Sequence, residues 1–385
     1  HCMPGPALRR PLPHQQNRKA PGESRRHDRR AAARKKPVDG VNERYELGGG
    51  YSISRIIKGG WQLSKGHSED VSHDPVGDML DFVRQGIDTF DSADIYTGVE
   101  ELIGEFLAQS PAGSPVRVHT KYVPDLEQLT GLARRDVERV IDRSLLRLGR
   151  ERLDMVQFHW WDTQVPGYVE TAGWLQDLQR SGKIERLSLT NFNTQNTRDI
   201  LEAGIRLTTT QVQYSLLDPR PEKGLADLCA AHGMHLLCYG TLAGGFLTER
   251  WLGAADPLYT SAALENRSLT KYRLIIEETG GWDVFQSLLE TLARVGSRHD
   301  VSIAAVASRW VLEQPRVAAV IIGARNTRYL DRYAEPFRFR LSDQDYREIE
   351  SIRGGMNVPP GDVFDLERDR TGRHGRIMKY NLNKG

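Results

Sequence analysis

The sequence predicts an α/β fold: a single (β/α)8 barrel of the TIM type, followed by a C-terminal helix and an extended tail. Three observations lead there. Eight short runs rich in branched and aromatic residues alternate with helical patterns from about residue 45 onwards, which is the order of a parallel sheet with crossover helices, and eight such units close into a barrel. Several runs end directly in an ionisable side chain, as barrel strands do when they deliver groups to a C-terminal mouth. The rival, a doubly wound sheet, lacks its Gly-x-Gly-x-x-Gly turn, because Gly48-Gly-Gly50 precedes the first apolar strand and has the wrong spacing.

Taken in order, the strand candidates are 53–59, 87–91, 116–120, 153–158, 184–190, 207–213, 234–239 and 318–322. Helical periodicity falls between them at 74–85, 99–109, 131–148, 168–181, 194–203 and 222–232, then at 284–299 with 302–313, and at 326–333. Residues 250–283 interrupt the seventh unit, where a lid over a cofactor could be inserted. Ser342-Asp-Gln-Asp345 is a capping-box-like start for a terminal helix over 342–353. Three segments result: a basic extension over 1–42, the barrel over 43–355, and a polar tail over 356–385 that, with its spaced Phe364, Ile377, Met378 and Tyr380, could pack at the barrel mouth or simply fray.

Bulk composition narrows the function classes. The chain has 385 residues, 39% apolar and 27% charged, and no apolar stretch long enough to span a bilayer. Three cysteines (Cys2, Cys229, Cys238) make no disulfide framework or metal-ligand spacing, so a reducing compartment, and a cytoplasmic location, are expected. The net charge of +2 is unevenly spread: residues 1–40 carry eleven Lys/Arg against three acids, leaving the remainder at −6. A mildly acidic body argues against a nucleic-acid-binding domain. The extension lacks apolar residues and reads as disordered. It is Arg-rich like a transit peptide but holds only Ser24, so organelle targeting competes with a basic arm and with an extension of no role.

Four strand-end residues carry chemistry. Asp91 and Tyr96 lie in Ile87-Asp-Thr-Phe-Asp-Ser-Ala-Asp-Ile-Tyr96, Lys121 ends Val118-His-Thr-Lys121, and His159 ends Leu153-Asp-Met-Val-Gln-Phe-His159. Each alone has a plain structural reading, as a cap, a packed ring, a solvated amine or a core imidazole. Together, at successive strand ends, they form a proton donor for carbonyl chemistry. The ammonium draws the phenol's pKa towards working pH, and the carboxylate holds that ammonium.

This set, with the Asp-Ser-Ala-x-x-Tyr step from Asp91 to Tyr96, resembles the aldo-keto reductase family, and family-like motifs recur from Gly59 to Arg325. The resemblance implies that Tyr96 is the general acid, that Lys121 tunes it, that Asp91 holds Lys121, and that His159 orients the carbonyl oxygen or shares in proton transfer. Gly59-Gly60-Trp61 looks like the segment beside the nicotinamide ribose, with Trp61 walling the substrate pocket. Thr190, Asn191 and Gln211 match the groups that bind the carboxamide, Thr190 replacing the more usual serine. Cys238-Tyr239-Gly-Thr-Leu-Ala-Gly-Gly245 resembles the next loop, with Tyr239 under the nicotinamide and Leu242 and Gly244 along the cofactor. Cys238 reads as packing.

Gly323-Ala324-Arg325 resembles the grip on the adenosine 2′-phosphate, with Arg325 at a helix N-terminus. Relatives carry Gln and Glu-Asn downstream, where this chain has Tyr329, Arg332 and Tyr333. Tyr329 would then stack on adenine. Arg325 leans the cofactor towards NADPH, and the altered neighbours leave NADH open. Trp160 and Trp161, with Trp61, suggest an aromatic pocket for aldehydes on apolar or ring-shaped groups.

The expected activity is NAD(P)H-dependent reduction of an aldehyde or ketone, or the reverse oxidation, with no metal and a small carbonyl or alcohol as the partner. Two other readings stay open. One is an NAD-linked dehydrogenase of a sugar or pyridoxal-type alcohol. The other is a cofactor-sensing regulatory subunit with slow turnover. The sequence gives no oligomeric state, physiological substrate or reaction direction.

Overall fold

A computed structural model describes residues 43–64, 72–111, 113–259, 264 and 267–382. The extension over 1–42 lies outside the described residues.

The first predicted strand divides at Arg55. Strands β1 (Arg44–Glu46) and β2 (Ser52–Ser54) form an antiparallel hairpin with Tyr45 opposite Ile53, and only β3 (Ile56–Gly59) enters the barrel. The Gly48-Gly-Gly50 triplet is the hairpin turn. All three glycines have positive φ (94°, 61° and 76°), a region that side-chain-bearing residues rarely occupy. The hairpin closes the barrel floor: Leu47, Tyr51 and Ile53 pack on Ile57, Met155, Leu237, Ala318 and Ala319. Arg117 and Arg186 lie 4.4 and 5.3 Å from the Tyr51 ring centroid.

The barrel continues through β4 (Thr89–Asp91), β5 (Arg117–Tyr122), β6 (Leu153–Phe158), β7 (Ile184–Thr190), β8 (Thr209–Gln213), β9 (His235–Tyr239) and β10 (Val317–Ile322). All pairings are parallel, and β10 closes on β3. The (β/α)8 expectation holds. Outside the strands run α1 (Pro75–Arg84), α2 (Val99–Gln109), α3 (Arg134–Leu148), α4 (Tyr168–Arg180), α5 (Thr194–Glu202) and α6 (Leu225–Ala231). Each turns an apolar stripe inward. In α3, Val137, Ile141 and Leu148 are buried at helical spacing while the charged face stays outside. Asp74 caps α1 by accepting from Gly77 N at 2.9 Å, with Pro75 in the first turn, a cap worth about 1 kcal/mol.

Between β9 and β10 the chain inserts α7 (Arg267–Glu278) before α8 (Trp282–His299) and α9 (Ile303–Leu312). This helix lies in the stretch read as a lid. Its Tyr272 leaves no room for a Cβ at Gly240 or Gly244, so α7 sits directly on the loop after β9. The helix expected over 326–333 is absent. A 3-10 segment runs instead from Leu330 to Phe337 with Pro336 inside it, because proline has no N–H to give and its ring blocks an α turn. Arg325 therefore heads no α-helix.

The capping box of α10 (Asp343–Arg353) forms as read: Asp345 N donates to Ser342 Oγ (3.2 Å) and Ser342 N to Asp345 Oδ2 (2.8 Å). Beyond it, residues 356–382 run back across the mouth and carry a short helix α11 (Asp365–Arg368). Lys223 Nζ donates to the carbonyls of Pro359 and Gly361 at 2.8 Å each. Glu367 takes a bidentate pair from Arg220 at 3.0 Å, both side chains 1% exposed. Further on, the Tyr380 ring meets Trp161 at 5.1 Å, and the Tyr380 carbonyl accepts from Leu126 N at 2.9 Å. The polar tail is docked, not frayed.

Candidate active site

The C-terminal ends of the barrel strands enclose a cavity of about 470 Å³. Asp91, Tyr96, Lys121 and His159 all line it, so the four strand-end residues converge as expected. Side chains alternate along a strand. The ends of β4 and β5 and the residue after β6 therefore aim their polar groups at one point while their neighbours pack against the helices.

Lys121 is the hub. Its Nζ donates to Asp91 Oδ2 at 2.5 Å and to the Ser92 carbonyl at 2.8 Å, and lies 3.4 Å from Tyr96 Oη. Burial by itself lowers the ammonium's pKa, but Asp91 and Tyr96 outweigh it, and Lys121 is held above its ordinary value. Asp91 is fixed from its other side. Its Oδ1 accepts from Gln157 Nε2 at 2.9 Å and Gln211 Nε2 at 2.7 Å. Gln157 was not singled out in the sequence. Strand alternation back from His159 would have found it, since His159, Gln157 and Met155 share the inward face of β6.

For Tyr96 the expected tuning does not dominate. Burial raises the phenol's pKa, Lys121 pulls it down, and burial wins, leaving the group above its ordinary value. The group is a phenol, not a phenolate, across the neutral range. Trp61 meets its ring at 5.2 Å. His159 donates from Nδ1 to the Thr190 carbonyl at 3.1 Å. Its ring is walled by Trp161 at 4.3 Å and Phe364 at 5.5 Å, both perpendicular.

The residues expected to bind the carboxamide present complementary groups. Gln211 Nε2 spends both hydrogens on Asp91 and Gln157, so its Oε1 is left to accept. Asn191, at φ 62°, accepts from Tyr239 Oη at 2.8 Å through Oδ1, which leaves its Nδ2 to donate. Thr190 lines the same wall. A donor and an acceptor on adjacent strand ends match a carboxamide. The loop after β9 adds Leu242, Gly244 and Gly245 to the lining. Gly59 and Gly323 line the opposite side, and a Cβ at Gly323 would lie 2.4 Å from Gln62 Nε2. Arg325 also lines the cavity, and among the described residues no group accepts a hydrogen bond from it.

Three expectations change. Gly60 does not line the cavity. It packs against β4, where a Cβ would lie 2.5 Å from the Asp91 carbonyl oxygen. Trp160 is fully buried and donates to the Val165 carbonyl at 3.0 Å. It faces away because alternation turns His159 and Trp161 inward and Trp160 outward. Tyr329 is 46% exposed at the rim, with Arg328 and Arg332 at 5.3 and 5.4 Å from its ring, and is not part of the cavity wall. Sequence reasoning missed Lys271 on α7 and Leu382 of the tail, which line the cavity beside Phe364. No local motif marks them, since they reach the mouth only through tertiary folding.

A closed eight-stranded barrel with a Tyr–Lys–Asp cluster at its mouth defines an oxidoreductase built on the TIM fold. The sequence profile of the Aldo/keto reductase family matches residues 55–353, and the chain belongs to that family. It is 28% identical over 330 residues to the aldo-keto reductase YhdN of Bacillus subtilis, covering 82% of this chain and 95% of that protein. It is 25% identical over 316 residues to the NADH-specific methylglyoxal reductase of Escherichia coli, covering 76% and 93%. Among solved structures, the glycerol dehydrogenase AKR11B4 of Gluconobacter oxydans superposes with a TM-score of 0.69 over 84% of this chain and 98% of that one, at 24% identity. That last likeness speaks for the fold. Among the described residues, no helix is long and apolar enough to cross a membrane.

Proposed function

We propose that the protein is an NAD(P)H-dependent reductase of aldehydes or ketones in which Tyr96 supplies the proton. The observation that carries this is the single ammonium of Lys121 within reach of Asp91, the Ser92 carbonyl and Tyr96 Oη. A bound nicotinamide would supply the hydride. Gln211 Oε1, Asn191 Nδ2 and the Tyr239 ring suit the carboxamide and the flat ring of that group, and Arg325, with no acceptor among the described residues, suits its adenosine phosphate. Tyr96 Oη–H gives its proton to the carbonyl oxygen as negative charge develops there. Lys121 then faces a phenolate and stabilises it. Asp91 keeps Lys121 charged, and Gln157 and Gln211 keep Asp91 in place. The cavity wall of Trp61, Ile95, Trp161, Phe364 and Met378 excludes water, which strengthens each of these interactions.

The test is Tyr96→Phe, assayed with a panel of aldehydes and ketones under NADPH and NADH. General acids contribute roughly 10²–10⁴-fold, so turnover should fall by about two decades or more while cofactor affinity barely changes. Near-wild-type turnover would remove Tyr96 from the role.

A further inference from the structure

Strand β3 reads Ile56-Ile57-Lys58-Gly59, and every residue of it is buried. Alternation turns Ile57 into the barrel and Lys58 outwards against α1, where its Nζ lies 5.3 Å from the Phe82 ring centroid. Lys58 is 2% exposed. Among the described residues no carboxylate pairs with it, and Asp78 of α1 acts on the amine only from a distance. Burial lowers its pKa to about 8, so the amine is still charged at neutral pH. A buried charge without a counter-ion weighs on the fold. Departures of this kind from the rules of packing concentrate at functional sites.

Among the described residues the amine meets one acceptor, the Ala324 carbonyl oxygen at 3.3 Å. Ala324 lies between Gly323 and Arg325, both of which line the cavity. In a trans peptide the C=O and the N–H point opposite ways. Drawing the Ala324 oxygen towards Lys58 therefore turns the Arg325 N–H away from it. That N–H, like the Arg325 guanidinium, meets no acceptor among the described residues. Hydrogen bonds in series polarise one another, so an ammonium on the oxygen makes this N–H a stronger donor. We propose that Lys58 is a positioning residue for the adenosine 2′-phosphate of NADPH: it fixes the Ala324–Arg325 peptide so that the Arg325 N–H and guanidinium bind that phosphate together. A rigid backbone donor and a forked side-chain donor suit a tetrahedral anion. This role rests on the NAD(P)H-dependent reading above and adds to it a residue outside the cavity wall.

The test titrates NADPH and NADH, by tryptophan fluorescence at fixed salt, against wild type and Lys58→Met. Loss of one charge-assisted hydrogen bond should raise the NADPH Kd about tenfold, with the NADH Kd unchanged. The urea midpoint of the same variant should rise, since the buried charge is gone. A merely structural lysine would lower stability and weaken both cofactors together. A second readout uses wild-type protein labelled with ¹³C at alanine carbonyls and ¹⁵N at arginine, which selects the four Ala–Arg peptides of the chain. The Ala324–Arg325 signal, identified by its loss in Arg325→Lys, should move downfield with NADPH and hold its place with NADH.

An unchanged NADPH Kd in Lys58→Met, or an equal weakening of both cofactors, would overturn the proposal. So would an Arg325 amide that ignores NADPH. A lower urea midpoint, or a variant that does not fold, would make Lys58 a structural anchor and overturn it as well. Wild-type protein that binds NADH but not NADPH would sink this role while leaving the reductase reading intact. Binding of neither nucleotide would remove that reading, and the role of Lys58 with it.

Discussion

Replacing Arg220 by methionine tests whether one buried ion cluster pins the tail to the barrel. Arg220 reaches Asp218 through two contacts of 2.8 Å and Glu367 through two of 3.0 Å, and all three side chains are 1% exposed. Burial alone would raise the Glu367 carboxyl, but Arg220 overrides it and holds the group at about 2, against an ordinary 4.5. A depression of that size corresponds to about 3 kcal/mol of stability at neutral pH. The same figure is reached from the other direction, since breaking one side of a buried pair costs about 3–5 kcal/mol. In wild type this stability is complete above pH 4.5 and fades as pH falls towards 2. In Arg220→Met the buried Glu367 carboxylate loses its bidentate cation, so burial raises its pKa and acid should help the variant. Urea unfolding should show a loss of about 3 kcal/mol at pH 7 and a smaller loss at about pH 5. Trypsin should cut first in the tail, at Arg370, Arg373, Arg376 or Lys379, and KM for carbonyl substrates should rise. Wild-type stability at pH 7, or a deficit that does not shrink on acidification, would refute the reasoning.

Further outcomes follow from the same geometry. Because burial outweighs Lys121 and holds the Tyr96 phenol above its ordinary range, the rate of carbonyl reduction should be flat through neutral pH and fall only as the phenol ionises, while alcohol oxidation rises with pH; a reductive rate that declines through neutrality would contradict this. Arg325→Ala should weaken NADPH binding by about 1.5–3 kcal/mol and leave NADH nearly unchanged, read by fluorescence titration at fixed salt; equal weakening of both would move Arg325 to the pyrophosphate or to a structural role. Lys58 is 2% exposed and burial lowers its amine to about 8 from 10.5, with the Ala324 carbonyl as its hydrogen-bond acceptor at 3.3 Å. The charged form is thus a burden below pH 8 that fades as pH rises through that value, and Lys58→Met should stabilise the fold by about 2 kcal/mol at pH 7 after loss of that hydrogen bond. A urea midpoint below wild type would refute it.

What could be read from the sequence was set by how local each signal is. Asp91, Lys121 and His159 each end an apolar run, so strand assignment alone placed them at one mouth, and the five-residue step brought Tyr96 with them. Trp160 shows the limit of that reasoning: adjacency to His159 suggested the pocket, but alternation sends adjacent side chains to opposite faces. The same rule, applied inward from His159, would have found Gln157. At 326–333 the helical spacing was present, but the chain winds as a 3-10 segment over Leu330–Phe337, with Pro336 inside it. The division at Arg55 was hidden because both halves read as one β-rich run, and only the pairing partner separates hairpin from barrel. Lys271 and Leu382 were out of reach, since α7 and the last stretch of the tail meet the mouth through contacts remote in sequence. The phenol's elevated pKa likewise depends on how much of Tyr96 the folded walls cover.

The docked tail also bears on when the protein becomes competent during synthesis. The barrel closes once β10 has been made, at Ile322, yet Phe364, Met378 and Leu382 of the cavity wall are translated some forty to sixty residues later. A ribosome tunnel conceals the newest stretch of chain, so the nascent barrel is exposed with a bare mouth before its cover emerges. During that interval the apolar faces of Trp161 and Phe192 have no Tyr380 or Arg368 against them. A chaperone that binds apolar surface would find its target at this mouth, and release from it would coincide with the arrival of Phe364, Met378 and Leu382.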